Sequence, residues 1–259
     1  MVILIVMDDQ FRGFDGEVYT LNIGPEKKAL RVPEGILTSI PYFKTAMSSG
    51  SFTETNTMTF DLPEDDPQAV ADILYYTYTR NVRPLKIPHH QLMYDCESTA
   101  AVEAHLRAYI VADKYKAEDT ANSLVDEFIN FQSESRANPG YLPILSEAGL
   151  VDSPIYKLIV REVLFHILDR DYRDRLILFD AADAQPSTFE EMVRRLPHED
   201  LVQLTLMAND FKDEYAHDDK DQIEYPTLSD VGKEEFPSSK ALENLCKYHK
   251  HDLTDPCSK

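Results

Sequence analysis

Between residues 18 and 79 the spacing of hydrophobic positions changes character several times, and each change marks a new element. Val18–Ile23 and residues 28–32 are short extended runs separated by Gly24-Pro25-Glu26-Lys27, a turn-forming cluster, and together they predict a β-hairpin. Ile36, Leu37 and Ile40 then fall at helical spacing. Pro41 opens a second helix, where its missing N–H costs nothing, and this helix carries Tyr42, Phe43, Ala46 and Met47. Over 57–62 the period returns to two: Met58, Phe60 and Leu62 alternate with Thr57, Thr59 and Asp61, which predicts a strand with one buried face.

Pro63-Glu64-Asp65-Asp66-Pro67 has the chemistry of a helix start, with Asp66 as the cap and Pro67 at the first helical position. Acidic side chains there also suit the positive end of the helix dipole. Val70, Ile73, Leu74, Thr77 and Tyr78 follow the spacing of a core-facing stripe. The stretch 81–98, with Pro84, Pro88 and a His pair, reads as a loop. A helix over 99–115 follows, with Val102, Leu106, Tyr109 and Ile110 facing inward, and a further helix places Ala121, Leu124, Val125, Phe128 and Ile129 on one stripe. Asn138-Pro139-Gly140 breaks the pattern and marks a domain edge. Beyond it, 154–168 is apolar around most of its circumference and must be covered on more than one side. Residues 189–196 and 201–207 predict two more helices, and after Asp210 the chain turns acidic and proline-punctuated. The expected organisation is a domain over 16–132, a helical extension over 139–210 and a loosely ordered acidic tail over 211–259.

Composition narrows the function. Against 26 Lys and Arg stand 46 Asp and Glu, a net charge of −20, which argues against a broad basic face for a phosphate backbone. Nucleic acid and membrane are therefore not expected partners. Three unevenly placed cysteines are too few for a secreted disulfide framework, and the apolar run 2–7 is far shorter than the roughly 20 residues a bilayer span needs. That run reads as a β-strand, and the chain as intracellular, cytosolic or nuclear. No phosphate-cradling Gly loop, nucleophile elbow or H-E-x-x-H is present, so an enzyme is not expected.

Three segments carry a family resemblance. Pro41-Tyr42-Phe43-Lys44 followed by Ser49-Gly50-Ser51-Phe52-Thr53-Glu54 is the first; Leu62 to Pro67 leading into a helix that ends Tyr75-Tyr76-Thr77-Tyr78-Thr79 is the second; Ala112-Asp113-Lys114-Tyr115 is the third. In order and spacing they resemble the BTB/POZ family over about residues 16–132. The chain departs from the family pattern at Gly16-Glu17-Val18 and at Val32-Pro33-Glu34, positions that in transcriptional-repressor members line a charged groove. The resemblance implies an α+β fold, a small mixed sheet flanked by helical hairpins, here followed by an all-helical extension. It also implies two kinds of partner. One is a second copy of the chain, packed through the first helices and an exchanged strand for which 2–7 is the candidate. The other is a cullin scaffold of ubiquitin ligases, met by a hydrophobic-x-Glu element that aligns with Phe52-Thr53-Glu54, with Tyr42 and Phe43 beside it. The expected function is a self-associating adaptor that brings an unidentified protein to a cullin; cullin-independent scaffolds and transcriptional regulators share the same class.

One cluster has metal-ligand chemistry. Cys246, His249, His251 and Cys257 satisfy tetrahedral zinc in type and number, although C-x2-H-x-H-x5-C is not a common finger spacing. An amphipathic terminal helix over 239–248 with a frayed polar end, or a Cys246–Cys257 disulfide, are the other readings of the same residues. His89, His90 and Cys96 read as a polar loop beside a helix start, 169–175 as a solvated helix end, and His105 and His166 as satisfied core or boundary histidines.

Overall fold

Gly24 and Lys27 both take left-handed backbone angles, φ 72° and 50°, and the Lys27 N–H donates to the Gly24 carbonyl at 3.0 Å. This turn joins β1 (Val18–Ile23) to β2 (Lys28–Pro33) as the expected antiparallel hairpin, with Leu21 opposite Leu30 and Tyr19 opposite Val32. The structure is a computed structural model that describes residues 16–48, 57–85, 96–132, 138–168, 193, 196–215 and 249, following the backbone alone at 96–99, 132, 165–168 and 209–215. Among the described residues the fold is mixed α+β, with eight α-helices and one three-stranded sheet of order β2-β1-β3.

The third strand, β3 (Thr59–Leu62), runs parallel to β1, with Leu21 beside Phe60 and Ile23 beside Leu62. A parallel neighbour needs a crossover rather than a tight turn. Helices α1 (Glu34–Leu37) and α2 (Pro41–Ser48) lie along that connection. Alternation fixes the faces: Tyr19, Leu21, Ile23, Leu30, Val32, Phe60 and Leu62 are all buried. The strand is shorter than its sequence pattern, however. Met58 sits outside it at φ 53°, half-buried, where its carbonyl accepts from the Thr20 N–H at 2.9 Å.

Helix α3 (Pro67–Thr79) starts as its chemistry requires. The Asp66 carboxylate accepts from the Ala69 N–H at 2.8 Å, with Pro67 next in line. Val70, Ile73, Leu74 and Thr77 are buried, Tyr78 only partly. Helix α4 (Cys96–Lys114) begins three residues before the start at 99 that its sequence predicts and packs on α3. Val102, Leu106 and Tyr109 face inward, whereas Ile110 is half-exposed and His105 takes an inward position instead. The helix closes on Lys116 in the left-handed region, with Ala117 N–H to Ala112 O at 2.9 Å and Lys116 N–H to Asp113 O at 3.1 Å. Helix α5 (Glu118–Gln132) then buries Ala121, Leu124, Val125, Phe128 and Ile129, the full stripe its spacing predicts.

The chain divides into two compact units. Among the described residues the first holds 16–85 and 96–124, and the second holds 125–215 and 249, so the division falls within α5. In the second unit Asn138-Pro139-Gly140 forms a capped 3₁₀ turn, the Asn138 side chain accepting from the Gly140 N–H at 2.8 Å. Short α6 (Leu142–Ser146), α7 (Pro154–Leu168) and α8 (His198–Tyr215) follow. On α7, Ile155, Leu158, Ile159, Val160, Val163 and Leu164 are buried, as an all-round apolar helix demands. Helix α8 is longer at both ends than the apolar run 201–207. No described helix is long and apolar enough to cross a membrane. The expected strand at 2–7, most of the helix at 189–196 and the acidic stretch beyond Tyr215 lie outside the described residues, apart from Val193, Leu196 and His249.

Candidate interaction surface on helix α2

Two adjacent aromatic residues on α2 meet edge-on at 5.1 Å between ring centroids yet differ sharply in exposure. A residue advances 100° around a helix at each step, so Tyr42 and Phe43 cannot share one environment. Phe43 is fully buried, meeting Phe60 edge-on at 5.3 Å between ring centroids and Tyr115 edge-on at 5.0 Å. Tyr42 keeps 41% of its surface exposed. The implied contact set Tyr42, Phe43, Phe52 and Glu54 is corrected accordingly: Phe43 has no exposed area to offer a partner and serves as the pin that holds α2 on the core. Phe52 and Glu54 lie outside the described residues.

What lies beneath Tyr42 is polar and built from three elements. Tyr42 and Tyr115 stack at 5.0 Å with an interplanar angle of 20°, and the Tyr42 N–H donates to the Tyr115 carbonyl at 3.2 Å. The Tyr115 hydroxyl donates to Asp65 Oδ2 at 2.7 Å, and Lys114 Nζ donates to Asp65 Oδ1 at 2.7 Å. Asp65 is 6% exposed and lies in the turn between β3 and α3, its N–H bonded to the Leu62 carbonyl. A carboxylate so buried is tolerable because both oxygens accept charge-assisted or hydroxyl bonds. Burial first, and the neighbouring Asp65 second, push the Tyr115 hydroxyl far above the usual tyrosine range, so it stays a protonated donor. The same turn meets the hairpin at Gly24, whose φ of 72° favours glycine and where an added Cβ would fit only tightly, 3.3 Å from Pro67 Cγ.

The sequence singled out Lys114 and Tyr115 only as part of a family-like tetrapeptide, and did not single out Asp65 as their partner. Nothing local could have done so, because the pair separations are 49 and 50 residues.

The other sequence candidates sit apart from this surface. His105 is buried on α4, its Nε2 2.8 Å from the Leu124 carbonyl, and burial lowers its pKa to about 4, the bond to that carbonyl opposing the shift. It borders a crevice of about 30 Å³ shared with Asp72, Arg83 and Thr120, room for about one water. Of the four zinc candidates, His249 is described: its ring is largely buried and its Nε2 is 2.7 Å from Asp126 Oδ1. Cys246, His251 and Cys257 lie outside the described residues, as do His89 and His90. Among the described residues no group of three or more His, Cys, Asp or Glu side chains is placed to hold a metal ion. In the second unit Asp200, fully buried, accepts from the Tyr156 hydroxyl at 2.6 Å and the Ser146 hydroxyl at 3.1 Å, while Val202 and Leu206 on the same helix are exposed.

No protein-family model matches the chain, and no curated protein sequence matches it.

Proposed function

We propose that the chain is a protein–protein interaction module of the BTB/POZ kind, one that self-associates and acts as an adaptor between a recruited protein and a cullin scaffold. The support is physical as well as by resemblance. The three family-like segments supply α2, the β3–α3 turn with its helix, and the end of α4, and their residues Tyr42, Asp65, Lys114 and Tyr115 meet in one cluster.

The observation that carries the reading is the division of labour on α2. Phe43 anchors the helix in the core, and Tyr42 stands 41% exposed on a stacked, hydrogen-bonded base. Exposed aromatics held rigidly are the residues that supply contact area at low entropic cost. In this reading Tyr42 forms one side of the contact, and Phe52 and Glu54, which follow α2 in sequence, complete it: an aromatic seated in an apolar pocket and a carboxylate accepting a polar bond beside it.

Affinity purification of the tagged full-length chain from cell lysate, with cullins detected by immunoblot, tests this. The intact chain is expected to retain a cullin, and the Phe52→Ala/Glu54→Ala chain to retain about tenfold less, the loss of two central contacts. Equal retention by both, or no cullin retained by the intact chain, rejects the adaptor reading.

A further inference from the structure

Helix α2 spans only 41–48, and a side chain on so short an element has little of its own helix to hold it still. Tyr42 is nevertheless fixed from below. Its ring lies nearly parallel to that of Tyr115, and its backbone N–H is tied to the carbonyl of the same residue. Tyr115 in turn is not held by packing alone: its hydroxyl is bonded to Asp65. Lys114 occupies the second Asp65 oxygen, which stops the carboxylate from rotating away and neutralises its charge. Phe43 closes the other side by meeting the Tyr115 ring edge-on.

We propose that Asp65 is a positioning residue for the contact face of α2: by clamping Lys114 and Tyr115 it sets the ring on which Tyr42 is stacked. The inference rests on the reading of α2 as a contact surface, and adds the residue that orders it. A contact tyrosine already in its bound rotamer surrenders less conformational freedom on association than one free to rotate. The clamp also links distant parts of the chain. Asp65 sits between Leu62, whose carbonyl receives the Gly24 N–H from the hairpin, and Asp66, which caps α3, so its carboxylate ties the turn where the hairpin, β3 and α3 meet to the end of α4. Loss of the carboxylate frees Tyr115, and through it Tyr42, while the apolar core contacts of Phe43 with Phe60 persist.

A double-mutant cycle on the full-length chain tests this, using Asp65→Asn and Tyr42→Ala and titrating the purified cullin that the intact chain retains. Asp65→Asn is expected to weaken binding about tenfold in the native background and to cost nothing further once Tyr42 is alanine, because its effect runs through that ring. Independent, additive losses overturn the inference, since a general loosening of the fold would weaken binding in both backgrounds. The chain contains no tryptophan, so Tyr42→Trp supplies a sole reporter that needs no partner. Asp65→Asn should then move its emission to longer wavelength and raise its quenching by acrylamide. Tyr115→Phe, which removes the hydroxyl but keeps the ring, should do the same to a smaller degree and stands in if Asp65→Asn does not fold. Unchanged emission in a folded variant also overturns the inference. If Tyr42→Ala binds as the native chain does, the contact reading of α2 fails, and the reporter alone then decides whether Asp65 orders Tyr42.

Discussion

Single residues in this chain are assigned their roles by what lies beneath them rather than by their type. Tyr42 and Phe43 are neighbours of similar size, yet one is a surface and the other a pin. His105 shows the same dependence in its charge. Buried on α4 and set against the Leu124 carbonyl, it has a pKa near 4 in the folded chain against 6.5 when exposed. The unfolded chain therefore binds the extra proton first as pH falls, so the stability that the neutral His105 contributes is fully present above pH 6.5 and is lost as pH falls from 6.5 to 4. By linkage the loss approaches roughly 3 kcal/mol below pH 4. Urea titrations of the native chain and of His105→Gln at pH 7 and pH 4.5 check this. The native chain should lose more stability over that interval than the variant, which retains a donor toward Leu124 but cannot take up a proton. Equal losses would mean that His105 is not the acid-sensitive group.

At the scale of elements, the second unit depends on one buried carboxylate. Asp200 lies in the first turn of α8 and gathers the Tyr156 hydroxyl from α7 and the Ser146 hydroxyl from α6. Removing the Tyr156 donor leaves a buried charge short of one strong bond, a loss of about 1.5–3 kcal/mol. Tyr156→Phe should therefore lower the thermal stability of the second unit and speed amide exchange over 198–208, with exchange over 18–23 unchanged; equal exchange over 198–208 in both chains would remove Asp200 as the tie.

These elements also mark what the sequence made legible. The hairpin, the Asp66–Pro67 helix start and the stripes of α3 and α5 were readable because their determinants lie within a few residues of one another. Alternation assigns Met58 to β3, but it records which side a residue faces and not its φ, which at 53° makes the strand begin at Thr59. Hydropathy places Ile110 inward, yet it is half-exposed, whereas His105, read as a satisfied core or boundary histidine, is buried with its ring nitrogen against the Leu124 carbonyl. The start of α8 is not legible in the apolar run 201–207, because His198, Glu199 and Asp200 are polar, although Asp200 is fully buried. The Asp65 cluster was illegible for a simpler reason: its partners come from distant elements, and no local pattern records them.

For the whole molecule, the net charge of −20 shapes which partners approach readily, favouring basic surfaces and slowing the encounter of like-charged ones. Two described regions offer exposed large apolar side chains on helices: Tyr42 on α2, and Val202 with Leu206 on α8. The Tyr42 region has the rigid base, formed by Tyr115 and Asp65, that a contact residue needs. Hydrogen–deuterium exchange of the full-length chain, alone and in the presence of the proposed cullin partner, separates the two surfaces directly. If α2 and the residues after it form the contact, exchange over 41–54 slows in the complex and exchange over 198–215 does not. Protection confined to 198–215, with 41–54 exchanging as in the free chain, contradicts it.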